Sequence, residues 1–265
     1  MEVIVTGGCS WSTPRKIFLA RKNISKESQK ILWNSWVEKL NFSEHQKLIH
    51  TGYNGNSVPG SVKKIFDEIM GKKVDRVVLG ISDWYRIDLQ TKHIDTSIAF
   101  YTAQTMGDGR FPGLHTFEKR YGKKVLKYFT EIEEPDEYFL KCVIDNTLRH
   151  IRMLSEFCAL RQIKFHAIQI LDPLKVETIG AEKSEIIMNH IVNHEVFKYI
   201  EKNPYKQDFL GYPFVCQLGG TAMEDVLRVG MRREDKIHRI SDVDGHPNDT
   251  GHNIIAEWFH KHVTA

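Results

Sequence analysis

Cysteine is scarce. Four residues carry a thiol, Cys9, Cys142, Cys158 and Cys216, and none stands in a C-x-x-C pair. That argues against a disulfide framework or a cysteine-built metal knuckle, and leads us to expect free, mostly buried thiols in a reducing compartment. Long apolar runs are missing too: none approaches the roughly 20 residues that span a bilayer. The opening MEVIVTGG is too short for a secretory leader, and polar residues follow it. No membrane partner and a cytoplasmic location are therefore expected. An excess of one charge sign is also lacking. Lys and Arg number 37 against 34 Asp and Glu, which leaves +3, and that slight excess is spread along the chain. Without a concentrated basic face, no nucleic-acid partner is expected. Internal repeats and low-complexity tracts are absent.

What remains is ordinary globular usage, 41% apolar and 27% charged, in 265 residues. That length suits one large α/β domain with a real core. Val3 to Thr6 form a β-branched run that ends in Gly7-Gly8, the pattern of a buried strand feeding a turn. A helix is predicted over about 27–40, with Ile31, Leu32, Trp36 and Leu40 on one face. A strand is predicted over 47–51, followed by the turn-rich GYNGNSVPG and a helix over 61–70. DRVVLGIS is the clearest strand. Residues 86–135 have no strong period and read as a surface insertion. A long amphipathic helix is predicted over 136–161 and a strand over 164–171. A second insertion is predicted over 173–238, with a helix at 183–202, and a last helix over 249–263. Strands alternating with helices predict a three-layer α/β/α fold with a mostly parallel, flavodoxin-like sheet and two surface insertions. Such sheets bind ligands beyond the carboxyl ends of their strands, which directs attention to the loops there.

The first of those loops is GGCSWS. A serine just after a buried strand, with glycines before it, can sit in a tight turn with its hydroxyl exposed and its own N–H turned toward an oxyanion. The dinucleotide fingerprint G-x-G-x-x-G, the phosphate loop G-x-x-x-x-G-K-[ST] and the elbow G-x-S-x-G all fail to match. The loop before the last helix is DVDGHPNDTGH. There His246 needs a carboxylate to orient its ring, and Asp244 or Asp242 could serve. A bland reading stands beside it: a polar turn capping the final helix through Asn248 or Asp249.

Taken together, these blocks resemble the SGNH, or GDSL-like, hydrolase superfamily. The family's Gly-Asp-Ser is here Gly8-Cys9-Ser10, similar to the Gly-Cys-Ser variant of phage-associated and bacterial members. Its second block implies an oxyanion glycine, here Gly55, with Gly52 as runner-up. Its Gly-x-Asn-Asp block is here Gly80-Ile81-Ser82-Asp83, with Ser in place of Asn. Its Asp-x-x-His is here Asp244-x-His246, the preferred pairing and one residue shorter, as in the related acyltransferase branch. The resemblance implies a serine esterase with Ser10, His246 and Asp244 as triad and Ser10, Gly55 and Ser82 around the oxyanion. Asn56, Asp83, Trp84 and Arg86 are expected to line the substrate cleft. No metal or organic cofactor is called for, and the expected partner is a small-molecule or carbohydrate ester. The same residues leave open an acyltransferase, or an inactive glycan-binding module of a phage particle and hence a virion-associated location.

Other signals point elsewhere. Cys9 adjoins the nucleophile but has no base beside it in sequence. His190 and His194 have metal-ligand spacing, yet no Glu follows His190, so a solvated helix face is expected. His252 reads as a structural contact, Arg86 either as an anion holder or as an ion-pair partner of Asp83 or Asp88, and the 209–214 run FLGYPF as core packing.

Overall fold

The computed structural model describes residues 1–15, 33–52, 56–84, 86–91, 94–99, 137–174, 181–204, 206–227, 237–238, 240 and 246–263. Its strands are β1 (Glu2–Gly7), β2 (Gln46–His50), β3 (Arg76–Ile81), β4 (Arg86–Thr91), β5 (Ile94–Ala99), β6 (Lys164–Gln169) and β7 (Phe209–Leu210). Five of them form one parallel sheet in the order β2-β1-β3-β6-β7, and β4 and β5 pair as a separate antiparallel hairpin. Without the hairpin, the spatial order is 2-1-3-4-5. The order reverses between β1 and β3, the point where such sheets bind ligands beyond the carboxyl ends of their strands.

The β-branched runs form strands whose central positions are buried on both faces of the sheet, so alternate residues serve opposite layers. Val5, Val77, Leu79, Phe165 and Ala167 face one layer. It is built from α1 (Val58–Ile69), α2 (Glu137–Leu160), α3 (Ala181–Asn193) and α4 (Glu195–Lys202). Ile4, Val78 and Ile168 face the other, where Trp36, Val37, Ile255 and Phe259 pack. That second layer also holds α5 (Met223–Val226) and α6 (Asp249–Val263). Among the described residues no helix is long and apolar enough to cross a membrane.

Several expectations change. Residues 33–40 are not the end of a helix: a single 3-10 turn, Trp36–Lys39, stands between the extended residues Ser35 and Leu40. The Glu38 carboxylate accepts the Ser35 N–H at 2.8 Å and closes that turn. Trp36 and Leu40 are buried as their spacing suggested, but by tertiary packing; residues 27–32 lie outside the described set. The helix over 183–202 is two helices, broken at His194, which is extended and caps α4 by accepting the Val196 N–H at 3.2 Å. The 86–135 stretch opens with the β4–β5 hairpin, and 100–136 lie outside the described residues. The 173–238 stretch also delivers β7, the edge strand, and its Phe209 and Phe214 are buried, so the aromatic run is core. Of the thiols, Cys9 and Cys158 are buried, whereas Cys142 and Cys216 are exposed.

Candidate active site

β1 ends at Gly7, and Gly8 takes φ +149°, a left-handed region that side chains rarely adopt. A Cβ on Gly8 would lie 2.8 Å from Ser12 Cβ and 2.9 Å from the Gly80 carbonyl oxygen. The first loop is therefore pressed against the end of β3. Ser10 opens the 3-10 turn Ser10–Ser12. The two neighbours differ in burial: Cys9 is fully buried, while Ser10 is partly exposed. Burial pushes the Cys9 thiol up, so it holds little thiolate at neutral pH.

The second and third loops meet at Asn56. Ser57 caps α1 by accepting the Gly60 N–H at 2.9 Å, which sets Asn56 just ahead of the helix. The Asn56 carbonyl oxygen receives the Ser82 hydroxyl at 3.2 Å and Arg86 Nη1 at 3.4 Å. Arg86 Nε donates to Asp83 Oδ2 at 2.7 Å, so of its two expected roles it takes the structural ion pair with Asp83. Asp83 and Arg86 both act electrostatically on the Cys9 thiol, in opposite senses. A Cβ on Gly52 would stand 3.2 Å from the Gly8 carbonyl oxygen, so the second loop also abuts the first. Gly55 lies outside the described residues.

One of the expected site residues is corrected. Trp84 is fully buried, packs edge-on against Phe197 and Phe214, and donates its indole N–H to Gln169 Oε1 at 3.3 Å; it belongs to the core, not the cleft. Ser82 has one hydroxyl hydrogen, and it is directed at the carbonyl oxygens of Asn56 and Asp83, at 3.2 and 3.4 Å. In the structure that hydroxyl is therefore satisfied by backbone carbonyl oxygens.

The last loop is tied to the first by one residue that the sequence reading passed over as mere core. The Trp36 indole N–H reaches Ser12 Oγ at 3.3 Å, and its backbone N–H reaches His252 Nδ1 at 3.2 Å. The 3-10 turn that holds Ser10 and the start of α6 thus share a clamp. His252 is buried and stacked on Trp33, with its Nδ1 occupied. Burial, then the nearby charge of His246, pushes its pKa down to about 3. It is structural. Asp249, three residues before it, bonds Lys39 Nζ at 2.9 Å and the Asn34 N–H at 3.0 Å, so it anchors the helix start. His246 stands beside His252, half-buried, and its carbonyl oxygen accepts the Ile240 N–H at 2.9 Å. Asp242 and Asp244 lie outside the described residues. No signal in the sequence marks Trp36 or Gln169. Both work through contacts with residues far away along the chain.

His190 and His194 are not a solvated face. Both approach Asp145 of α2, at 2.5 and 3.3 Å, and His194 is buried. A cavity of about 1200 Å³ opens at the opposite, amino-terminal edge of the sheet, lined by Phe42, Arg76, His166 and Tyr199 among others. Arg76 is already held by Glu2 and His166, at 3.0 and 2.6 Å, and none of the loops singled out above reaches it.

No family model matches the chain, and no curated protein matches it. Among solved structures it is similar to a GDSL-like lipase from Bacteroides thetaiotaomicron, with 11% identity, TM-score 0.44, and 99% of this chain and 87% of that one covered. It is similar to an acetylxylan esterase from Geobacillus stearothermophilus, with 11% identity, TM-score 0.41 and 100% and 94% covered. It is also similar to a lipolytic protein of the G-D-S-L family from Veillonella parvula, with 10% identity, TM-score 0.28 and 98% and 97% covered.

Proposed function

We propose that this protein is a serine esterase that cleaves a carboxylic ester, with Ser10 as nucleophile, His246 as general base and Asp244 as the carboxylate that orients it. The observation that carries the reading is the Trp36 clamp. It holds the Ser10 turn and the helix that follows His246 at one edge of the sheet, beside the point where strand order reverses. Two rivals are weakened. Cys9 is buried with a raised thiol pKa, and His252 has its Nδ1 engaged and resists protonation. His246 stands beside His252 at this edge and is half-buried.

In the proposed reaction His246 takes the Ser10 hydroxyl proton as Oγ attacks the ester carbonyl carbon. The carbonyl electron pair moves to oxygen, where the Ser10 and Gly55 N–H groups receive it. The intermediate collapses, the alcohol leaves with the proton from His246, and water releases the acid by the same path. Ser10→Ala is expected to reduce hydrolysis of p-nitrophenyl acetate to background while the thermal unfolding curve stays in place, and His246→Ala to be about as damaging, since such residues act as a unit. Wild-type turnover by Ser10→Ala sinks the proposal. Product analysis with an added sugar acceptor separates hydrolysis from acyl transfer, and failure of a fluorophosphonate to label Ser10 marks a module without catalysis.

A further inference from the structure

The cavity at the amino-terminal edge of the sheet takes no part in the ester reaction. We propose that it binds a small organic anion, a carboxylate carried on an apolar body. The proposal stands independently of Ser10.

Like charges converge on this cavity from two directions. Arg76 and Lys164 are register partners on β3 and β6, so two neighbouring strands begin with cations side by side. Lys198 and Lys202 stand four apart on α4 and share one face of that helix. All four line the cavity. Each pairing is unfavourable by itself, because like charges at such spacings repel. Arg152, a fifth lining cation, is matched by Glu156 at 2.8 Å, and Arg76 by Glu2 at 3.0 Å. Of the lining carboxylates, Glu195 leans on Arg149 and Arg152, at 3.8 and 3.9 Å, and Asp208 stands 3.3 Å from His166 Nδ1. Lys164, Lys198 and Lys202 have no carboxylate at ion-pair distance among the described residues. Their charge is the part that a bound anion balances.

Arg76 adds directed donors. It is only 7% exposed, whereas the three lysines are solvated. Its Nε donates to Glu2, its Nη1 to His166 Nε2 at 2.6 Å, and its guanidinium carbon lies 3.9 Å from the centroid of the Phe42 ring. Those contacts fix the guanidinium plane, and Nη2 has no partner among the described residues. A held, largely desolvated guanidinium with an open nitrogen favours an oxyanion.

The remaining wall sets the ligand's body. Ile163, Phe165, Tyr199 and Phe209 line the same space. Its volume of about 1200 Å³ is above the range of about 300–1000 Å³ usual for small-molecule sites. An inorganic ion would leave the aromatic wall wet. A polyphosphate would meet a single fixed guanidinium and otherwise solvated lysines. A carboxylate with an apolar chain uses both the charge and the wall.

Calorimetric titration of the full chain with decanoate tests this, with decanol as the apolar probe and inorganic phosphate as the anionic one. One decanoate per chain is expected to bind, decanol and phosphate at least about tenfold more weakly, and added salt to weaken decanoate binding. Arg76→Lys keeps the charge and removes the planar fork, and is expected to weaken binding about tenfold or more. Lys198→Glu with Lys202→Glu, at exposed positions, is expected to weaken it about tenfold at low salt and to reverse the salt dependence, with the thermal unfolding curve in place. Should Arg76→Lys fail to fold, the lysine pair still decides. No saturable heat with decanoate, equal affinity for decanol, tighter binding of phosphate, or wild-type affinity in the folded lysine variant overturns the proposal.

Discussion

Ser10 and Cys9 are adjacent in sequence, yet one is partly exposed and the other fully enclosed. That burial weighs against Cys9 despite the intrinsic nucleophilicity of a thiol, because the buried thiol holds its proton. Trp84 is the opposite case, an aromatic next to the cleft loops that spends itself on the core. Its indole N–H bonds Gln169 Oε1, and Gln169 Nε2 in turn reaches the Ser82 and Leu171 carbonyl oxygens at 3.1 and 2.5 Å, so one amide ties the ends of β3 and β6 together. Trp84→Phe leaves Gln169 Oε1 buried without its donor. A loss of about 1–3 kcal/mol in urea unfolding is expected, with KM for a short acyl ester unchanged. A raised KM at full stability would return Trp84 to the substrate wall.

The 3-10 turn Trp36–Lys39 works as a strut between two loops that are distant along the chain. Its amphipathic pattern resembles that of a helix because Trp36, Val37 and Leu40 are all buried, but the extended residues Ser35 and Leu40 stop propagation on both sides. Trp36→Phe keeps the backbone N–H to His252 and the ring packing near Phe259, 5.8 Å between centroids, and deletes only the bond to Ser12. Stability should fall by about 1 kcal/mol, and kcat on p-nitrophenyl acetate by roughly tenfold through misplacement of Ser10. Steady-state kinetics on folded protein checks this, and an unchanged kcat would mean that the strut does not position the nucleophile. The break at His194 belongs with this turn: α3 and α4 change direction where the imidazole caps the new helix and meets Asp145 of α2.

The pH response of the whole fold follows from His252. Its folded pKa is depressed to about 3 from an ordinary 6.5, because burial first, and His246 next, oppose its charge. The unfolded chain binds a proton near pH 6.5 that the folded chain refuses. Stability is therefore full above 6.5 and declines as pH falls from there toward about 3, at about 1.4 kcal/mol per pH unit from this group. His50, pushed down in the same way by burial, adds to the same trend. Urea unfolding from pH 8 to pH 4 should show this decline, and His252→Gln should reduce its slope by about one proton. Equal slopes in the two proteins would contradict the assignment.

The β-branched runs, the glycines after the first, and the polar loop before the last helix determined the layered α/β architecture and the loops worth watching, because fully buried parallel strands need unbroken apolar residues and a tight turn needs glycine. The 86–99 hairpin also had a signal, the alternation of Ile87 and Leu89 with polar residues in RIDLQT. Tertiary structure alone decided the rest. Trp84 went inward, the Ser82 hydroxyl met a neighbouring carbonyl, and Trp36 joined Ser12, 24 positions before it, to His252, 216 positions after it. Periodicity reports which residues are buried, but a hydrogen bond between distant loops depends on where the fold brings their backbones, and no local spacing encodes that.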